Sequence, residues 1–469
     1  MIRHTKIVCT IGPASDSEEM IAKLIAGGMN VARVNFSHGT HDYHREVIRR
    51  LKRVRKVLNK PVAILQDLQG PKIRIGVIKS GFVQLMPGQE FVLTADAVDG
   101  DARRASVSLK SMPYEVSAGH PILLADGNIE LRVERVAPPD IHCRVVVGGL
   151  LSSHKGVNLP ASEVQVESLT EKDRADIVVG LEEGVDAIAL SFVRKATDVL
   201  AARTVIRDHG GDIPIIAKIE KHEAVENVDS IVTASHAIMV ARGDLGVEID
   251  LERVPLVQKA IIRKCNALGK PVITATQMLQ RMVDNPRPTR AEATDVANAI
   301  LDGTDAVMLS EETAVGKYPA EAVMMMDRIA LSAESALDEL KFENIPVESG
   351  TGDAISRASY FIAKEIGAAA IITPTWSGST ACRVSRFRPK QPILATTPND
   401  AALDFLSLCW GVVPLPIPSS QTLEDVIRLS IEAARRAGYI DSGQQVIITG
   451  GAPLHVAGNT NFIKVDRVD

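Results

Sequence analysis

The segment PIIAKIE (214–220) is a short β-branched, apolar run that ends in charge. Side chains on a strand alternate faces, so Lys218 and Glu220 share one face at the tip of an otherwise apolar strand. The same pattern of apolar run, polar residue or glycine, then amphipathic helix recurs along the chain. The further runs are KIVCTIG (6–12), NVARVNFS (30–37), VAILQDL (62–68), DAIALSF (186–192), AIMVARGD (237–244), PVITATQ (271–277) and AVMLSEET (306–313). Strand–helix alternation implies parallel strands joined by right-handed crossovers. Eight such units are the count of a (β/α)8 TIM barrel, an α/β fold whose active sites lie at the C-terminal strand ends. Ser15 with Glu18 has capping-box spacing, and Thr170 and Ser332 read as caps of other helices.

The third and fourth runs are separated by about 120 residues, far more than a βα connection needs. PILLADGNIELRVERV (121–136) reads as a hairpin turning at Asp126-Gly127-Asn128, and IHCRVVVGG (141–149) as another strand. The insert is expected to be a small β-barrel lid domain at the barrel mouth. After about residue 345 the period restarts with a helix over 353–366, then AAAIITPTW (368–376), PILATTP (392–398), a run at 411–417 and QQVIITGG (444–451), an open α/β sheet. The expected division is a barrel over 1–72 and 169–344, a lid over 73–168 and a C-terminal domain over 345–469.

Composition bounds the partners. Of 469 residues, 45% are hydrophobic and 24% charged, with a net charge of −5, so neither a nucleic-acid surface nor a membrane face is indicated. No apolar stretch has the length of a membrane-spanning helix, and the first strand-like run begins at once, leaving no room for a signal peptide. Cys9, Cys143, Cys265, Cys382 and Cys409 are scattered singly, which reads as reduced thiols in the cytoplasm.

Charged residues fall at several strand tips in succession: Lys218 and Glu220, then Arg242 and Asp244 on the next strand, and Arg33, Asn35 and Ser37 on the second. A lone charge on a strand is usually solvated surface, and that reading weakens with each repetition. Glu220 and Asp244 can converge as oxygen ligands for a hard cation, since Mg²⁺ favours two carboxylates plus substrate oxygens and water. Lys218 would point its ammonium at whatever the metal holds, and Arg33 supplies a planar fork for phosphate. Metal, lysine and arginine are the parts phosphoryl transfer needs, because catalysis there is positioning and charge neutralisation. His38, His41 and His44 have a spacing that invites zinc, but they straddle a loop and a helix start with no further ligand nearby; His38 reads better as part of the NFSHG turn.

IPIIAKIEKHEAV (213–225), RVNFSHG (33–39), DLQGPKIRIG (67–76), ARGDLGVEI (241–249), ATQMLQRM (275–282) and PRPTRAEATDVANAILDGTDAVMLSEETAVGKYP (286–319) together resemble the pyruvate kinase family, of the bacterial type, over the whole chain. The resemblance implies transfer of the phosphoryl group of phosphoenolpyruvate to ADP, with Mg²⁺ or Mn²⁺, in glycolysis. It gives Lys218 the charge on the transferring phosphoryl group, Glu220 and Asp244 the metal, and Arg33 the phosphate. Gly243, Asp244 and Thr276 would hold the substrate carboxylate, the glycine through its N–H. Asn35, Phe36, Ser37, His38, Arg74 and Lys155 would face the nucleotide, and Asp126 on the lid a second, nucleotide-borne metal. Thr276 or Ser310 would protonate the enolate.

One departure bears on monovalent cations. K⁺-dependent members hold the ion with residues matching Asn35, Ser37, Asp67 and a threonine where this chain has Leu68, and they carry glutamate where Lys72 stands. The Lys72 ammonium would replace the ion's charge, so K⁺ is expected not to be required; the alternative is a lysine pointing to solvent. In the last domain, Thr375, Ser377, Gly378, Ser379 and Thr380 precede a helix bearing Arg383, Arg386 and Arg388. Those residues read as a capped helix with a solvated basic face, and the resemblance adds a sugar-phosphate or nucleotide effector, with 450–461 closing over it. PRPTRAE (286–292) resembles the family's subunit-contact segment, so a homotetramer is expected, and the length leaves no room for an extra C-terminal phosphotransfer-like domain. The competing readings are a metal-dependent pyruvate aldolase or lyase and a non-catalytic sugar-phosphate sensor. The nucleotide-facing positions argue against the first, and the presence of Lys218, Glu220 and Asp244 against the second.

Overall fold

The computed structural model describes residues 2–160, 162, 166–337, 350–454, 456 and 458–469. Eight parallel strands close into a barrel: Lys6–Ile11, Val31–Asn35, Ala63–Asp67, Ala187–Leu190, Ile215–Ile219, Ala237–Ala241, Val272–Ala275 and Ala306–Leu309. Period two sorts their side chains. Val8, Val31, Leu65, Ala189, Ile216 and Met239 pack on one another inside, while Ile7, Cys9, Ile64, Ile188, Ile215 and Val240 pack against the helices outside. Two residues further along, the inward faces turn polar as Thr10, Arg33, Asp67, Ser191 and Lys218. The barrel layers therefore end in a ring of hydrogen-bonding groups, although Thr10, Asp67, Ser191 and Lys218 are all buried. Leu408, with Phe405 packed behind it, joins the inner apolar layer from the C-terminal domain. Burying such a leucine contributes about 2 kcal/mol.

Helix starts match the sequence in part. Thr170 caps Glu171–Glu183 with a full capping box through Asp173. The first helix, Glu18–Gly27, is capped by Ser17 and not Ser15. The Ser15 hydroxyl is instead taken up in the preceding turn, where it accepts from the Gly12 N–H. Ser332 lies inside Pro319–Glu334 and caps nothing. The sixth strand ends at Ala241, and Arg242–Glu248 is already helical, so Arg242 and Asp244 do not alternate on a strand as expected.

The insert forms a six-stranded sheet and a two-stranded one around its own core. The expected hairpin is present as Pro121–Leu124 and Ile129–Ala137, with Asp140–Val147 beside it. The last domain is a five-stranded sheet in the order Val412–Pro416, Ile393–Thr397, Ala370–Pro374, Gln445–Gly450 and Phe462–Arg467. Its final strand is an antiparallel edge that the sequence reading missed. The expected boundary at 344/345 lies outside the described residues. Barrel and last domain are joined by buried polar contacts: Lys6 Nζ donates to the Val412 carbonyl at 2.6 Å, and Arg388 reaches Asp305, Asn266 and Gly303. Arg386 reaches Ala267 and Asp353. These arginines are buried, which overturns the solvated basic face.

Candidate active site

Lys218 stands on the fifth strand directly above Ile216, and its neighbours Ala217 and Ile219 are buried among the surrounding helices. Its ammonium lies 2.7 Å from Ser191 Oγ, 2.8 Å from Glu220 Oε1 and 3.2 Å from Asp67 Oδ1. Burial alone pulls a lysine down, but Asp67 and Glu220 outweigh it and hold this one above the ordinary range, so it is charged. Asp67 is shared with Arg33, whose Nε donates to Oδ2 at 2.6 Å while Nη1 donates to Thr10 at 2.9 Å. Burial pushes Asp67 up, and Lys218 and Arg33 together bring it below its usual value. The Arg33 fork is thereby fixed in place. Glu220 accepts the Phe192 N–H at 2.8 Å through its second oxygen. Burial raises its carboxyl, Lys218 lowers it, and nearby Asp244 raises it again, leaving it above the usual range.

Asp244 is thus close enough to Glu220 for its charge to be felt there. Among the described residues no cluster of three or more His, Cys, Asp or Glu side chains could hold a metal alone. Two carboxylates completed by substrate oxygens and water nevertheless suit a hard cation. Asp244 sits on the helix Arg242–Glu248, 3.6 Å from Lys72 Nζ. Lys72 thus lies beside Asp244 while its side chain stays partly exposed. A Cβ placed on Gly156 would lie 3.2 Å from Lys72 Cε and 3.8 Å from Asp126 Oδ1, so the lid brings Asp126 to the same spot.

Thr276 follows the seventh strand at φ 70°, with Gln277 at φ 55°. A β-branched residue in the left-handed region is strained and is held by its surroundings. Arg242 does the holding: turned away from the mouth, it donates to the Thr276 carbonyl at 2.7 Å and to Asp295 at 2.8 Å. The Thr276 hydroxyl donates to the Ala275 carbonyl and accepts the Gly243 N–H at 2.8 Å, so the N–H expected to meet substrate is engaged. The Ser310 hydroxyl is buried with no partner among the described residues, while its N–H donates to Glu312.

The expected nucleotide face is met unevenly. Asn35 Oδ1 accepts the Ser37 N–H at 3.2 Å, Arg74 donates to the His154 carbonyl, and Lys155 is exposed beside them on the lid. The Phe36 ring is buried and stacked on His44, 4.0 Å between centroids, so it supports the loop and does not face a ligand. His44 bonds the His38 carbonyl and His41 bonds Asp176, which accounts for two of the three histidines without a metal. Of the monovalent-cation positions, Asp67 is bound by Arg33 and Lys218, and the Leu68 carbonyl accepts from Ser191.

Three groups escaped the sequence reading. Thr10 and Ser191 lie two residues beyond inward Val8 and Ala189, so strict period-two counting would have found them. The third is a lid contact: Asn158 donates to Glu248 Oε1 at 2.8 Å, and Lys221 Nζ holds Oε2 at 2.7 Å.

The loop Thr375–Thr380 lies in a cleft of about 630 Å³, solvent at its mouth included, shared with Gly451, Leu454 and Asn459 of the 450–461 segment. Thr375 Oγ1 accepts the Gly378 N–H at 3.0 Å, and Thr380 bonds Thr460 at 2.7 Å. Residues 455 and 457 of the closing segment lie outside the described residues.

Comparison with known proteins agrees with this architecture. The family model for the pyruvate kinase barrel domain matches residues 2–323, and that for the pyruvate kinase alpha/beta domain matches 353–466. A pyruvate kinase of Clostridium acetobutylicum is 46% identical over 100% of both chains. One of Geobacillus stearothermophilus is 48% identical over 99% of this chain and 80% of its own, and one of Staphylococcus aureus is 46% identical over 100% and 81%. The chain belongs to the pyruvate kinase family and is, with that family, a phosphotransferase.

Proposed function

We propose that the chain moves the phosphoryl group of phosphoenolpyruvate onto ADP, giving pyruvate and ATP in glycolysis. The observation that carries this reading is the Lys218 ammonium, buried at the barrel mouth and held charged between Asp67, Ser191 and Glu220. A fixed cation there stabilises charge on the phosphoryl oxygens as the bond to the enol oxygen breaks and the bond to the ADP oxygen forms. Arg33, anchored on Asp67 and Thr10, presents its fork to the same phosphate. Glu220 and Asp244 hold the divalent cation, Mg²⁺ or Mn²⁺, which neutralises substrate charge when bound. Thr276, Gly243 and Asp244 set the position of the substrate carboxylate.

The enolate takes its proton from Ser310, directly or through water. The Thr276 hydroxyl hydrogen is committed to the Ala275 carbonyl, whereas the Ser310 hydroxyl has no partner among the described residues. Asn35, Ser37, His38, Arg74 and Lys155 face the nucleotide, and Asp126 approaches its metal. The lid is docked by Asn158 on Glu248, which Lys221 holds. Lys72 stands in for K⁺, so Asn35, Ser37, Asp67 and Leu68 need bind none. A sugar phosphate or nucleotide binds the Thr375–Thr380 cleft and regulates the enzyme, which works as a cytoplasmic homotetramer. The chain divides into a barrel (1–72 and 169–344), a lid (73–168) and a regulatory domain (345–469). Among the described residues no helix is long and apolar enough to cross a membrane.

The test is pyruvate formation from phosphoenolpyruvate and ADP with Mg²⁺, in K⁺-free buffer and with K⁺ added. Similar rates in both, with no product when either substrate is left out, are expected. Many-fold activation by K⁺ would discard the role of Lys72, and no pyruvate in either buffer would discard the reaction.

A further inference from the structure

Three of the five cysteines are buried in apolar cores: Cys9 and Cys265 in the barrel and Cys143 in the lid. The other two meet. Cys382 Sγ and Cys409 Sγ are 3.0 Å apart, about 1 Å more than the bonded sulfur–sulfur length of about 2.05 Å. Cys382 lies in the helix Ser379–Ser385, and Cys409 lies just before the strand Val412–Pro416. The two segments are held together on either side of the thiols without their help. On one side Leu406 lies under Gly378, where a Cβ would come within 2.9 Å of it. On the other the Ser385 hydroxyl donates to the Trp410 carbonyl at 2.6 Å. The two sulfurs are thus held within about 1 Å of bonding distance by contacts that do not involve them.

Access is unequal, and this sets the order of reaction. Cys409 is fully buried, while Cys382 is partly exposed. Both line a small cavity together with Lys270, Arg386 and Arg388. The contact with Cys382 and burial hold the Cys409 thiol well above the ordinary range, so it stays protonated and Cys382, the accessible sulfur, is the one that meets an oxidant first.

We propose that Cys382 and Cys409 form a reversible intramolecular disulfide in response to hydroperoxides, a modification site that staples the helix after the Thr375–Thr380 loop to the segment entering the edge strand. The Cys382 sulfur attacks a peroxide oxygen, the O–O bond breaks, and a sulfenic acid forms while the leaving hydroxide takes the thiol proton as water. Cys409 sulfur then attacks the sulfenic sulfur, and the S–O bond breaks as a second water leaves with the Cys409 proton. Two thiols and one hydrogen peroxide give one disulfide and two waters, the electron pair passing from sulfur to oxygen. A thiol reductant reverses it.

The experiment treats the full chain with hydrogen peroxide, then counts thiols after denaturation and maps unreduced peptides by mass spectrometry. The wild type is expected to lose two of its five thiols, to yield a linked 382–409 peptide, and to recover both with dithiothreitol. Cys382→Ser should lose none under the same treatment. Cys409→Ser should accumulate a dimedone-reactive sulfenic acid at Cys382. Survival of all five thiols, or loss through a different pair or between chains, would overturn the proposal. The wild-type count and peptide map decide it even if either variant folds poorly.

Discussion

The barrel mouth and the C-terminal cleft have both been read as phosphate sites, yet they are built from different materials. At the mouth, Lys218, Arg33, Asp67 and Glu220 are charged, buried and locked to one another. In the cleft the described lining is hydroxyl, amide, backbone and apolar surface, with no lysine or arginine. Of the basic residues beside the cleft, Arg386 and Arg388 bind the barrel, while Arg383 is taken up by the carbonyl of Gly458 in the cleft wall. A preset field of paired charges acts on charge that develops during a reaction, and removing one member strands its partners. A cleft of neutral donors can bind an anion, and it loses little when one donor goes. The first arrangement is suited to catalysis and the second to reversible sensing.

The comparison is broken most easily at Lys218. Lys218→Met should lower kcat roughly 10³-fold, the scale of losing a preorganised charge contact to the transition state. Circular dichroism melts should stay cooperative, because Glu220, already raised by burial, can take a proton. A drop of less than tenfold would place the catalytic charge elsewhere.

Acid should act on the barrel through the strand that carries Lys218. His236 Nδ1 accepts the Ile215 N–H at 3.0 Å, which requires a neutral ring. Burial, with Arg203 and Lys270 nearby, pushes this histidine down to about 4. The unfolded chain thus binds the proton more readily between pH 6.5 and 4. The histidine's contribution is complete above pH 6.5 and lost as pH falls towards 4, by about 3 kcal/mol. Urea unfolding across that range should show the loss, and His236→Gln should flatten it. An unchanged slope in the variant would reject the assignment.

The smallest effect is expected in the cleft. Thr375→Ala removes one acceptor from the Gly378 N–H and should cost about 1 kcal/mol, read as a lower thermal midpoint. A loss as large as the one at Lys218 would erase the contrast between the sites.

Much of the mouth was legible because a strand's alternation is rigid. Once Ile216 is assigned inward, Lys218 and Glu220 must follow, and Val31 fixes Arg33 likewise. Alternation misled where the strand stopped early: Arg242 begins a helix and buttresses Thr276 from behind. Ser191 and Thr10 could have been placed inward by the same alternation, but a small hydroxyl shows no role until Lys218 and Arg33 are seen beside it. The Asn158–Glu248 contact joins segments 90 residues apart, a distance no local pattern spans. Arg386 and Arg388 looked solvated because burial between domains is set by docking and not by helical period.

The most direct measurement follows ATP and pyruvate together in one reaction with phosphoenolpyruvate, ADP and Mg²⁺, for the wild type and Lys218→Met. The account predicts one ATP for each pyruvate in the wild type and near loss of both in the variant. Pyruvate without ATP, or both products at the wild-type rate without Lys218, would contradict it.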